Sequence, residues 1–247
     1  MGIGLNNSLY AQTEVPKDSL LSSAQQLFDE GSEKKSLNLF LKVLESDSTN
    51  FEALWHTSLL YARLGFRLNN EDAMMEHYQT SMKYAEKAIE EYPDEGYSHF
   101  VYAIAHGRIS DLSKTNTRIK KSHIIKEHAV KATELLPDYA PAWLLLGVWH
   151  SEVANISSAQ RIAAGVVSKG IPKGASNEKA EEFIKKAIEL DPDQTIRYKL
   201  DLGRHYLRAG ETQKARQTIQ ELLEVETKNE IDKWNLERAR EVLNEIK

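Results

Sequence analysis

Five segments of the chain stop being helical in the same way. LNLFLKVLESDS, YAEKAIEEYPD, HAVKATELLPD, FIKKAIELDPD and IQELLEVETK each place a small or apolar residue five positions before the break: Val43, Ala88, Ala132, Ala187 and Leu222. Pro93, Pro137 and Pro192 fill the middle three breaks. Proline ends a helix there because it lacks the N–H and its ring clashes with the preceding turn. Beyond the breaks a second pattern opens with an aromatic residue or leucine and then reaches a small one. It reads LWHTSLLYA, HFVYAIAHG, WLLLGVWHS and YKLDLGRHYL, with Ser58, Ala103, Gly147 and Gly203 as the small residues. A small side chain lets a partner helix approach closely, and Tyr61, His106, His150 and Tyr206 follow three residues later on the same side. The alternation predicts antiparallel helix pairs repeated along the chain. SAQQLFDEG supplies the first helix of the first pair, with Ala24 and Leu27 in the corresponding places and Gly31 as its stop.

This pattern resembles the tetratricopeptide repeat, a helix pair of about 34 residues. About five such units cover residues 18–229. A last helix from Glu230 to Ile246, with an apolar stripe of Ile231, Trp234, Leu243 and Ile246, is expected to cap the stack. The expected fold is all-α: a single tetratricopeptide-like solenoid over residues 17–247, with an inserted helix and a C-terminal capping helix. The spacing departs from a plain array. Pro93 to Pro137 is 44 residues and Pro137 to Pro192 is 55, so helices are lengthened or segments inserted. The longest addition, NISSAQRIAAGVVSKGIPKGASNE at 155–178, holds an apolar helix-like core from Ile162 to Val167 and then a Gly/Pro-rich loop.

A narrower likeness lies in IKKSHIIKEHAVKATELLPD, LLLGVW and SSAQRIAAGVVSKGIPKGASNEKAEEFIKKAIELDPD. This run, residues 119–193 for the most part, resembles the regulator of microtubule dynamics family in its IIKEH, its KA-EL-P helix end, its L-G-W helix and an insertion beginning with an arginine-isoleucine-alanine segment. Weaker similarity extends over roughly 50–225. Members are tetratricopeptide proteins linked to microtubules and mitochondria and have no recognised catalytic centre. The resemblance implies a binding or scaffolding role.

Charge and composition narrow the partners. A net charge of -5 gives no general attraction to phosphate backbones, so nucleic acid is not an expected partner. The absence of cysteine excludes disulfides, thiolate metal sites and cysteine nucleophiles. No apolar run approaches the ~20 residues of a membrane-spanning helix. Residues 1–16 are set apart as a disordered tail or signal remnant, since SLYAQ resembles the end of a bacterial secretory signal. That places the protein in a bacterial envelope if the segment is such a remnant, and in the cytoplasm otherwise. The histidines do not form a ligand pair on one helix face: His123 and His128 point apart, and His99 and His106 lie ~10 Å apart along the axis. Neither a phosphate loop nor a nucleophile elbow is present, so no catalytic residue, metal or cofactor is expected.

The first helix of each stacked pair lines the concave side of such a superhelix. Counting three back and one forward from each small residue, the inner face is predicted to hold Trp55, Leu59, Phe100, Ile104, Leu144, Val148, Leu200 and Arg204. Seven of these eight are apolar, which calls for a cover. Either the insertion folds into the concavity, or the groove accepts an apolar or amphipathic ligand such as a lipid chain or a helix. Arg63, Arg108 and Arg208 fall five residues after their small residues, and with Arg204 they form a predicted basic rim suited to an anionic head. The same arginines also suit helix C-termini. The expectation is a non-catalytic binding module; the alternative is a protein-binding adaptor whose groove is plugged by its own insertion.

Overall fold

The computed structural model describes residues 17–164 and 170–246, and it is built of helices joined by short turns. The N-terminal segment 1–16 and residues 165–167 of the expected inserted core lie outside the described residues. Five antiparallel pairs follow one another: α1 (Lys17–Asp29) with α2 (Glu33–Ser46), α3 (Phe51–Phe66) with α4 (Glu71–Glu91), and α5 (Gly96–Asp111) with α6 (Thr115–Leu135). In the fourth pair α7 (Ala140–Ala154) is separated in sequence from its partner α9 (Asn177–Leu190) by the short α8 (Ser158–Ala164). The fifth joins α10 (Thr195–Arg208) to α11 (Thr212–Leu223), and α12 (Glu230–Glu245) packs on both.

The helix ends are built as the repeated segments require. Val43, Ala88, Ala132, Ala187 and Leu222 are all fully buried. The carbonyls of the first four accept the backbone N–H of the residue that closes the helix. Asn50, Asn70, Ser176 and Asn229 start α3, α4, α9 and α12 by accepting a backbone N–H with the side chain, which satisfies donors that a helix N-terminus otherwise leaves open. The long spacings resolve differently in the two middle units. From Pro93 to Pro137 the added length lies chiefly in α6, which runs for 21 residues against 14 in α9. From Pro137 to Pro192 it is α8 and the residues between α8 and α9.

Close approach within each pair occurs where the small residues stand. A Cβ on Gly147 would come within 2.8 Å of Ile184 Cγ1, and one on Gly203 within 2.5 Å of Ile219 Cδ1. In the second pair the contact is polar but equally short: Ser58 Oγ donates to the Ser81 carbonyl at 2.9 Å, and Ser81 Oγ returns a bond to the Ser58 carbonyl at 2.8 Å. Gly147→Leu should therefore force α7 and α9 apart and cost about 2–3 kcal/mol in urea denaturation. Gly107→Ala, whose Cβ meets nothing within 4 Å, should instead stabilise α5 by about 0.5–1 kcal/mol.

His56 is buried between Phe40, stacked on it at 4.5 Å, and Phe28, set edge-on at 4.7 Å. Burial pushes its imidazole from 6.5 down to about 3, although the Glu52 carbonyl pulls the other way. The folded value lies below the unfolded one, so this histidine opposes folding once the pH drops under its ordinary value. Between pH 7 and pH 5 it should remove about 2 kcal/mol of stability. Denaturation of His56→Leu at the two pH values should show a correspondingly smaller loss.

Candidate functional site

The stacked pairs curve around a cavity of ≈ 760 Å³. Its apolar wall comes from Ile104 on α5, Leu144, Leu145 and Val148 on α7, and Leu200 on α10. Four of the seven apolar inner-face residues predicted, Ile104, Leu144, Val148 and Leu200, thus meet at one cavity, although Leu144 and Leu200 present only 4 % and 2 % of their surface. Trp55, Leu59 and Phe100 do not line it. They are buried between successive helix pairs, because the next unit brings an aromatic ring against the first and last of them: Tyr97 stacks on Trp55 at 4.4 Å, and Tyr139 meets Phe100 edge-on at 5.2 Å. Which inner positions reach the cavity is decided by the bulk of the following unit.

The predicted rim divides in the same way. Arg63, Arg108 and Arg204 line the cavity. Each has a carboxylate partner: Glu33 for Arg63 at 3.5 Å, Asp111 for Arg108 at 3.5 Å and Asp201 for Arg204 at 3.3 Å. Arg208 stands outside the lining, donating to Ser151 Oγ at 3.4 Å and lying 3.9 Å from Glu152. Glu33 is buried and also accepts from Arg67, so two guanidinium groups compensate one desolvated carboxylate. Burial holds Arg63 below the usual guanidinium range and Arg197 adds to the effect. Burial likewise raises the Tyr139 hydroxyl to about 12 and raises the carboxyls of Asp111 and Glu152, the last two against the pull of nearby arginines.

Three cations of the lining escape the count from the small residues: Arg67, which pairs with Glu33, and Arg197 and Arg118. Arg197 lies three residues before Leu200 and so shares its face, a spacing the sequence does contain. Arg118 belongs to the first turns of α6, a second helix of its pair, and no inner-face rule for first helices would find it. Among the described residues neither has an ion pair within 4 Å. The histidines hold a further surprise: His99 and His128, on α5 and α6, face each other with Nδ1 atoms 2.8 Å apart. Among the described residues no group of three or more metal-ligating side chains forms.

The described residues of the insertion border the cavity at one end. Its helix starts at Ser158, earlier than the expected Ile162, and Ile162 is 77 % exposed because it points away from the apolar cluster. Ile156, Gln160, Ile171 and Pro172 form one end of the lining, with Ile156 and Ile171 packed against the cluster that contains Trp149 and Val153. At another edge stands α12. Leu236, Ala239, Val242 and Ile246 pack it onto the last pair, whereas Ile231 and Trp234 of the expected stripe face the opposite end of the stack. Trp234 meets Phe66 edge-on at 5.6 Å, and a Cβ on Gly31 would lie 3.9 Å from Ile231 Cδ1. The capping helix therefore closes the curved stack onto its own beginning. Since the chain has no cysteine, spin labels at Glu30→Cys and Lys228→Cys report this closure directly; Trp234→Ala should lengthen and broaden their distance distribution while costing only about 1 kcal/mol.

Comparison with known proteins places this architecture. The family model for Regulator of microtubule dynamics protein 1-3 matches residues 20–247. Regulator of microtubule dynamics protein 1 of Bos taurus is 30 % identical over 194 residues, covering 77 % of this chain and 60 % of the relative. Regulator of microtubule dynamics protein 2 of Mus musculus is 28 % identical over 204 residues, covering 82 % of this chain and 49 % of the relative. The chain thus spans roughly half to three fifths of the length of these relatives. A thermophilic TPR protein of Thermus thermophilus superposes with a TM-score of 0.64 at 18 % identity, over 91 % of this chain and 99 % of its own, and shares the fold. With its stacked helix pairs and a match running almost from end to end, the chain belongs to the regulator of microtubule dynamics family.

Proposed function

We propose that the protein is a non-catalytic binding module whose cavity holds an apolar or amphipathic ligand, with the tail against Ile104, Leu145 and Val148 and an anionic end near Arg197 and Arg118. The observation that carries this is the pairing, in one cavity of ≈ 760 Å³, of an apolar wall with two guanidinium groups that have no ion pair within 4 Å among the described residues. Pockets for small molecules have about this volume and combine a mostly apolar lining with a few polar groups that fix orientation. The paired arginines at Glu33, Asp111 and Asp201 hold the polar wall in place without binding anything themselves.

Native mass spectrometry of gently purified protein should show a co-purifying amphipathic molecule. Val148→Trp, which adds bulk at a half-buried position of the wall, should remove it and leave the melting temperature within a few degrees of the parent. A parent protein that carries no such molecule and shows no thermal shift with long-chain fatty acids or phospholipids would overturn the proposal. The names of the relatives, regulators of microtubule dynamics, favour a second reading, an adaptor that contacts a protein partner through another face. Pelleting with polymerised tubulin, unaffected by Val148→Trp, would be its signature.

A further inference from the structure

The charge of the molecule is unevenly distributed. The chain as a whole carries a net -5, yet residues 112–126, the turn before α6 and its first half, hold Lys114, Arg118, Lys120, Lys121 and Lys126 and no acidic residue. The stretch 153–177, from the end of α7 through α8 to the start of α9, also has no acidic residue and contributes Arg161 and Lys173. The fold brings the two stretches together. α8 packs against α6, His123 Nε2 lies 3.0 Å from the Gly170 carbonyl, and Lys126 Nζ donates to the Lys173 carbonyl at 3.0 Å. Ile171 and Ala175 anchor the loop on the cluster of Ile125, Ala129 and Trp149.

Arg118 lies in the field of Asp111 and Glu152, and Lys121 in that of Glu86, but no basic side chain of this lobe is held in a close ion pair. Among the described residues none of the seven makes an ion pair within 4 Å, while arginines elsewhere, such as Arg67, Arg108 and Arg204, do. Arg161 spends hydrogen bonds on the Ala154 and Ile156 carbonyls and keeps its charge exposed. Next to it stands Ile162, 77 % exposed, against 38 % for Leu135, the other large apolar side chain exposed among the described residues. An uncovered isoleucine is unfavourable in water by its buried-area equivalent. Set among unpaired cations, it has the composition of a peripheral membrane anchor: an apolar tip to enter the acyl boundary and lysines to meet anionic headgroups.

We propose that the lobe formed by the first half of α6 and by α8 docks the protein on an anionic lipid surface. Charge complementarity selects that occupant, and the exposed Ile162 favours a lipid surface over an acidic protein segment, which needs only the cations. Arg118, Ile156 and Gln160 also line the cavity, whereas the other six cations lie outside it, so the docked face and the cavity share only an edge. Docking of this lobe does not depend on which ligand the cavity takes.

Flotation of the 247-residue chain with vesicles of phosphatidylcholine and phosphatidylserine (about 7:3) tests it against vesicles of phosphatidylcholine alone. Binding is expected only to the anionic vesicles, falling steeply as salt rises. Lys114→Glu/Lys120→Glu, both exposed and outside the cavity lining, should weaken it at least ten-fold, since each cation near such a surface contributes roughly five-fold. Ile162→Glu should also weaken it several-fold, with unchanged circular dichroism melting in both variants. Val148→Trp should dock like the parent, which separates this result from the cavity test. Absence of binding to the anionic vesicles, or equal binding to both kinds, would overturn the proposal. So would full binding by Ile162→Glu; capture of a polyglutamate peptide by parent and Ile162→Glu alike, with no binding to the anionic vesicles, would identify an acidic protein segment as the occupant instead.

Discussion

The contact between the two helices of each pair at its small residue governs most of what lies above it. Ile184 and Ile219 rest almost on the backbone at Gly147 and Gly203, and Ser58 and Ser81 exchange two hydrogen bonds across a similarly narrow gap. Such contacts leave little freedom in how the second helix lies on the first. The pair then acts as one unit that stacks on the next, and small rotations between units accumulate into curvature. The position of the cavity follows from this. The first helices α5, α7 and α10 turn their remaining faces inward, where Ile104, Val148 and Arg204 emerge one residue after the small contact.

Closure by α12 adds a second constraint. A stack of five pairs ordinarily exposes both ends, and a terminal helix needs only to cover the last of them. Here α12 covers the last pair with Leu236, Ala239 and Val242 and uses Trp234 and Ile231 to reach Phe66 and Gly31 at the other end. The polar wall depends on the same region. Arg108 lies 3.9 Å over the ring of Phe66, so the ring that meets α12 also holds a cation at the cavity wall, while Arg63 lies 5.2 Å over Phe28. Arg63 and Arg108 sit in the last turns of α3 and α5, where the helix dipole favours positive charge, and their carboxylate partners fix their direction. One placement serves both the helix end and the wall.

What the sequence made legible was local and periodic. The five helix ends, the small contact residues and the pairing all depend on spacings within one unit, and each of those residues lies where its spacing put it. The inner face was legible only in part, because the fate of Trp55 or Phe100 is set by Tyr97 or Tyr139 of the next unit rather than by its own helix. Arg118 could not be reached by a rule for first helices, whereas Arg197 was within reach at the spacing of one turn from Leu200. The contact of Trp234 with Phe66 joins opposite ends of the chain, and no periodicity records it. The start of α8 departs from its expected place for a simpler reason: Ile162 reads as the beginning of an apolar core, but a seven-residue helix need not bury every apolar side chain it carries.

The departures from a regular repeat are concentrated in one place. The extra length of α6 and the insertion after α7 occupy adjacent space, and the insertion settles on α6 through Ile171, Ala175, His123 and Lys126. A plain helix pair in their place would leave the contact of Ile184 with Gly147 and the cluster of Ile184 and Ala187 with the last pair intact, since neither involves α6 or α8. Stability therefore gives little reason for the added segment to be free of acidic residues or to expose an isoleucine. Both properties are costs to a soluble repeat, one by self-repulsion among unpaired cations and the other by exposed apolar area. A surface that accepts cations and an apolar tip together removes both costs at once, and Lys114, Lys120, Arg161 and Ile162 are all exposed to meet one.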